Sequence, residues 1–141
     1  MRDECCGNII CKTELFNGVK CDDFHELCSK LRTKTYEKGE TVAREGSACK
    51  AVGIIVSGKI AMQKITTSGE FATLSLIAEG EFFGEDIIYS SQSAYSSTLE
   101  AMTRCVVQYI NKDVLNSFMT ACPEVKDNIF RILSDRIENQ N

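Results

Sequence analysis

The stretch Ala51-Val52-Gly53-Ile54-Ile55-Val56-Ser57-Gly58-Lys59-Ile60-Ala61-Met62-Gln63-Lys64-Ile65 decides how the chain is built. Two short runs rich in Ile and Val flank a Ser-Gly-Lys turn, where glycine supplies positive φ without steric cost. The pattern repeats outward in both directions. Lys38-Gly39-Glu40 and Glu45-Gly46-Ser47 come before it; Ser68-Gly69-Glu70 and Glu79-Gly80-Glu81 follow. Strand-like runs over 51–56, 60–65, 71–77 and 105–110 lie between such signals. Short runs punctuated by glycines at about 8–12-residue spacing predict an antiparallel sandwich or barrel.

Helical periodicity brackets this β region. Phe24, Leu27, Cys28 and Leu31 recur at i, i+3, i+4 and i+7, one apolar stripe, and Asp22 and Asp23 stand where caps and first-turn acids belong. At the other end, residues 112–119 predict a short helix. Pro123 suits a first helical turn. Val125, Ile129, Ile132, Leu133 and Ile137 then continue at helical spacing.

Bulk properties narrow the function classes. With 141 residues the chain is one domain, long enough to bury a core without staples. A net charge of -4 disfavours direct binding to nucleic-acid phosphates. No apolar run approaches the roughly 20 residues a bilayer demands. Met1-Arg2-Asp3-Glu4-Cys5-Cys6 is charged with no apolar stretch after it, so a secretory signal is not expected and the cytoplasm is. In that compartment the eight cysteines are expected to stay reduced, most of them as small buried hydrophobes. No nucleophile, base and orienting group form a recognisable motif, so the chain reads as a binding module rather than an enzyme.

Several fragments, in order, carry a resemblance. They are Leu15-Phe16, Tyr36-Glu37-Lys38-Gly39-Glu40, Arg44-Glu45-Gly46, Ile55-Val56-Ser57-Gly58-Lys59-Ile60 and Gly80-Glu81-Phe82-Phe83-Gly84-Glu85. Together they resemble the cyclic-nucleotide-binding-like sensor domain of the CRP/FNR family of bacterial transcription regulators. The resemblance implies a mainly β fold: an antiparallel double-stranded β-helix, a jelly-roll-like β-roll, flanked by an N-terminal helix and a C-terminal helical pair. Residues 1–13 then form a Cys-containing leader. Residues 14–120 form the roll with its first helix and a short following helix. Residues 121–141 begin a dimerisation helix. In the family that helix leads into a helix-turn-helix domain not present in this chain, and DNA would be contacted only through it.

The resemblance also places a ligand site. In cyclic-nucleotide-binding members the Gly-Glu loop opens a short helix whose N–H groups hold the phosphate. The loop's Glu accepts the ribose hydroxyl, and a later Arg-Ser pair clamps the phosphate. Gly84 and Glu85 match the loop, with Asp86 beside them. Tyr95 falls where the Arg is expected and Ser96 where the Ser is, followed by Ser97. A Tyr does not neutralise a phosphate. From Ile65 through Thr103 there is no Lys or Arg, while Glu70, Glu79, Glu81, Glu85, Asp86 and Glu100 are all acidic. The first base afterwards is Arg104. An anion in such a site loses hydration without gaining a partner, so cyclic AMP and cyclic GMP are disfavoured. Two readings follow: Glu85 and Ser96 only hold the loop, or the pocket takes a neutral or cationic effector with Tyr95 and Ser97 lining it.

Relatives of the FNR type hold an oxygen-sensitive iron–sulfur cluster, for which Cys5, Cys6, Cys11 and Cys105 are the candidates here. Cys5 and Cys6 are adjacent rather than spaced as Cys-x2-Cys, which weakens the match. The terminal helix carries a homodimer expectation through Val125, Ile129, Ile132, Leu133 and Ile137, because Phe130 and Ile137 broaden its apolar stripe beyond what one surface needs. Three functions stay open: an effector-sensing domain of a CRP/FNR-like regulator, a stand-alone ligand-binding or interaction module, and an iron–sulfur or thiol-based redox sensor.

Overall fold

The computed structural model describes residues 13–19 and 24–140, with side chains given for 13–19 and 26–135. A 3-10 turn (Glu14–Phe16) and a short helix α1 (Phe24–Cys28) precede eight strands. The strands are β1 (Arg32–Tyr36), β2 (Thr41–Ala43), β3 (Ala51–Ser57), β4 (Ile60–Ile65), β5 (Phe71–Ile77), β6 (Phe82–Phe83), β7 (Thr98–Ala101) and β8 (Cys105–Asn111). Helices α2 (Lys112–Ala121) and α3 (Pro123–Gln140) close the chain. They form two four-stranded antiparallel sheets, ordered β1-β8-β3-β6 and β2-β7-β4-β5. The expected mainly β roll with its N-terminal helix and C-terminal helical pair is what the chain adopts.

Two apolar clusters hold these layers together. Tyr36, Ile55, Ile60, Phe83, Leu99, Cys105 and Val107 fill the space inside the roll. A larger cluster joins Val52, Ile54 and Ile110 of the first sheet to Leu15, Phe16, Leu115, Phe118 and the inner face of α3. Phe16 and Phe118 meet with ring centroids 5.0 Å apart. Gly53 is required by packing: any Cβ there would run into the Phe83 ring. The stripe expected before the roll is spent as predicted, with Leu27 and Cys28 buried, although the helix is only five residues long.

Helix ends are fixed by specific groups. The Asn111 side chain accepts a hydrogen bond from the Val114 amide at 2.8 Å and so caps α2. Pro123 is the first residue of α3, where its missing N–H costs nothing. Within α3, Val125, Ile129 and Ile132 are 0, 4 and 6 % exposed. Buried Asn128, on the same face, donates through its side-chain amide to the carbonyls of Leu15 (3.1 Å) and Asn17 (2.8 Å). Arg131 in turn donates to its Oδ1 at 3.1 Å. Among the described residues no helix is long and apolar enough to cross a membrane.

Three of the five residues assigned to a dimer seam are therefore corrected. Val125, Ile129 and Ile132 face this chain's own core, because the roll and the 3-10 turn need that surface first. Leu133 is half-buried, Phe130 is 58 % exposed, and the Ile137 side chain lies outside the described residues. Cys5, Cys6 and Cys11, the rest of the leader to residue 12, and Asp22 and Asp23 also lie outside them.

Candidate functional site

The site is built where the loop between β6 and β7 crosses the open side of the roll. Gly84 starts it with φ 92°, and a Cβ there would stand 3.0 Å from the Ala51 carbonyl and 3.2 Å from the Cys49 sulfur. The loop then winds one turn: the amides of Ile87 and Ile88 both donate to the Gly84 carbonyl, at 3.1 and 2.9 Å. No regular helix forms, in contrast to the expectation. One turn puts Glu85 (2 % exposed) and Ile88 (1 %) inside and leaves Asp86 at the surface. Further on, the loop is stitched to the segment before β3. Cys49 donates its amide to the Ser93 carbonyl at 2.6 Å, Gly46 donates to Tyr95 at 2.8 Å, and Tyr95 donates to Ser47 at 2.9 Å.

This arrangement encloses a cavity of about 630 Å3. Five of the six expected ligand residues line it: Gly84, Asp86, Tyr95, Ser96 and Ser97. Glu85 does not line it, a correction that follows from the turn above, since the fully buried carboxylate sits beneath the loop. The apolar wall comes from Met62, Leu76, Ile77, Phe83 and Leu99 of the roll and from Ile132 of α3. The charged lining residues are Glu14, Glu81, Asp86 and Asp135, and all four are exposed and acidic. Arg104 is not among the lining residues; it pairs on the surface with Glu37 at 3.6 Å.

Sequence reasoning missed Cys49, which is 3 % exposed. Its thiol lies against the Gly84 and Ala51 carbonyls and is hydrogen-bonded to the Tyr95 hydroxyl. The residue in the place of the family's arginine is thus tied to the glycine loop through a sulfur 46 positions away in sequence. A second pair lies deeper: the hydroxyls of Tyr36 and Tyr109 are 2.6 Å apart. Burial, the largest cause in each case, pushes the Cys49 thiol and the Tyr95 and Tyr109 phenols above their ordinary values; the bond to Cys49 raises Tyr95 further, and that to Tyr36 raises Tyr109. All three hold their protons near neutrality. Contiguous periodicity carries no signal for such links, because each joins distant segments.

The cysteines divide differently from expectation. Cys105, the one described member of the proposed cluster set, is fully buried, and its thiol donates to the Lys59 and Thr103 carbonyls at 3.1 and 3.2 Å. It closes the turn between β3 and β4, its sulfur committed to two backbone carbonyls of this chain. Among the described residues no group of three or more His, Cys, Asp or Glu side chains is placed to hold a metal ion. Cys28, Cys49 and Cys105 form no disulfide. Cys122, between α2 and α3, is disulfide-bonded, which departs from the expectation that all the cysteines stay reduced.

With the geometry in place, comparison with known proteins adds a lineage. The model of the cyclic nucleotide-binding domain family matches residues 33–122. The CRP-like cAMP-activated global transcriptional regulator of Mycobacterium tuberculosis is 26 % identical over 133 residues, 94 % of this chain and 59 % of that protein. Electron transport regulator A of Shewanella oneidensis is 24 % identical over 95 % of this chain and 52 % of its own length. The chain thus spans little more than half the length of these curated relatives. In structure, the sensor domain of the Pseudomonas aeruginosa transcriptional regulator DNR superposes with a TM-score of 0.82 at 18 % identity, over 94 % of this chain and 88 % of that one. Thermus thermophilus catabolite activator protein gives 0.81 at 20 %, over 91 % and 60 %. At these identities the structural likeness speaks for the fold alone.

Proposed function

The chain belongs to the cyclic nucleotide-binding domain family, and from that premise we propose that it is the effector-sensing domain of a CRP/FNR-like transcription regulator whose small-molecule ligand is not a standard cyclic nucleotide. One observation carries the reading: the cavity is walled jointly by the loop of residues 84–97 and by Ile132 and Asp135 of α3. A ligand there touches both the roll and the helix, so it binds more tightly to one helix position than to another. Differential affinity of that kind shifts the population of helix positions and transmits occupancy along α3. In this reading DNA contact is the task of a helix-turn-helix domain, and the cytoplasm is the compartment this role implies. The Mycobacterium tuberculosis relative is activated by cAMP; here Tyr95 replaces the expected arginine, and the lining has no Lys or Arg among the described residues.

A thermal-shift titration with cyclic AMP and cyclic GMP tests the reading. A ligand at 100 times its Kd stabilises by about 2.7 kcal/mol, several degrees for a chain of this size. We expect no shift at millimolar nucleotide. A saturable shift would overturn the exclusion of cyclic nucleotides and call for a base reaching the phosphate from outside the described lining.

A further inference from the structure

We propose that the cavity takes an organic cation: a protonated amine or quaternary ammonium carried on an apolar body. The inference rests on the reading of the cavity as the effector site and specifies the ligand's charge. The depth of the cavity is apolar, formed by Ile77, Phe83 and Leu99, which are 7, 3 and 1 % exposed. Into it comes Ser97, a residue 5 % exposed that lines the cavity. A hydroxyl in the cavity lining is one of the few polar groups that can orient a ligand there. At the mouth stand Glu14, Glu81, Asp86 and Asp135, brought together from the 3-10 turn, the β5–β6 turn, the loop and α3. Glu81 also accepts from the Ala78 amide at 2.7 Å, which fixes its position.

Charge decides between ligand classes. An anion must pass four carboxylates and then settle among apolar groups with no base to meet it. A cation with an apolar body meets favourable terms at both ends: hydrocarbon against Ile77 and Leu99, ammonium at the acidic rim. Half-buried Tyr95 in the lining adds an aromatic partner suited to a cation. A bare metal ion is the poorer candidate, since the described residues group no three donors for one.

The test places a thiol at the site in the full chain, as Ser97→Cys, with Ser91→Cys on the exposed part of the same loop as reference. Each is reacted at low salt with 2-(trimethylammonium)ethyl and 2-sulfonatoethyl methanethiosulfonate, and modification is followed by peptide mass spectrometry. The cation-to-anion rate ratio at position 97 should exceed that at 91 by about tenfold or more, as expected for a cleft lined by one sign of charge. It should fall towards the reference value in the Asp86→Asn/Asp135→Asn double variant. Tryptamine, indole-3-ethanol and indole-3-acetate share one apolar body; they should protect position 97 from neutral methyl methanethiosulfonate in that order. Equal ratios at the two positions, or any other order of protection, overturn the cation assignment. A position 97 thiol inert to every reagent overturns instead the reading of the cavity as an accessible site.

Discussion

Gly84 is the residue on which the site's geometry turns. Its φ of 92° lies where side chains are strained, and a Cβ would press on the Ala51 carbonyl and the Cys49 sulfur. Gly84→Ala should therefore cost about 1–2 kcal/mol from the backbone alone, read as a drop of several degrees in thermal unfolding. The thiol and phenols beneath it give a pH signature. In the unfolded chain Cys49 titrates near 9.0 and Tyr95 and Tyr109 near 10.0, while folding holds all three above those values. Above pH 9 the unfolded state releases protons that the folded state keeps, so stability is full below that pH and falls as pH rises further. Denaturant unfolding between pH 8 and 10.5 should show this decline, and Tyr109→Phe should make it shallower. The loop itself was legible from Gly80-Glu81-Phe82-Phe83-Gly84-Glu85, and so was the absence of a base at Tyr95. Cys49 was not, because its bond to Tyr95 joins segments that no local pattern relates. Nor was the inward turn of Glu85, which depends on how tightly the chain winds around one carbonyl.

At the scale of elements, legibility follows burial. The strands expected over 51–56, 60–65, 71–77 and 105–110 appear within a residue of those limits, since runs of Ile, Val and Leu mark them. β1 escaped because Arg32-Thr33-Lys34-Thr35 is exposed throughout and only Tyr36 is buried, so nothing alternates. β2, β6 and β7 are two to four residues long, too short for a period to register. How the apolar stripe of α3 divides between this chain's core and a second surface was not legible, because periodicity reports an apolar face without saying what covers it. Asn128, in the middle of that face, ties α3 to the 3-10 turn through two carbonyls. Asn128→Leu leaves both carbonyls without this donor and should destabilise the chain by about 1–3 kcal/mol. Hydrogen exchange should then rise in α3 ahead of the strands, which would separate a lost tie from general unfolding.

For the molecule as a whole, what remains exposed is informative. Phe130 on α3 and Ile65, Phe71, Leu74 and Leu76 on the β4–β5 hairpin are all more than half exposed. With Val125, Ile129 and Ile132 committed to the core, pairing through the terminal helix falls to Phe130, Leu133 and the residues that follow. We expect a self-associating chain by sedimentation at tens of micromolar, and Phe130→Glu should shift it to monomer with little change in thermal stability. A monomeric parent chain would remove the proposed route from cavity to partner. The first sheet has a further consequence, which concerns synthesis. Tyr36 and Tyr109, bonded hydroxyl to hydroxyl, are 73 residues apart, and β1 pairs with β8 along its full length. At about 5–20 residues per second of translation, β1 leaves the ribosome some 4–15 seconds before its partner exists. An Ile- or Val-rich strand waiting that long would be a template for aggregation; Arg32-Thr33-Lys34-Thr35 is not. The polarity that hides β1 from a reader of the sequence also protects the nascent chain until β8 arrives.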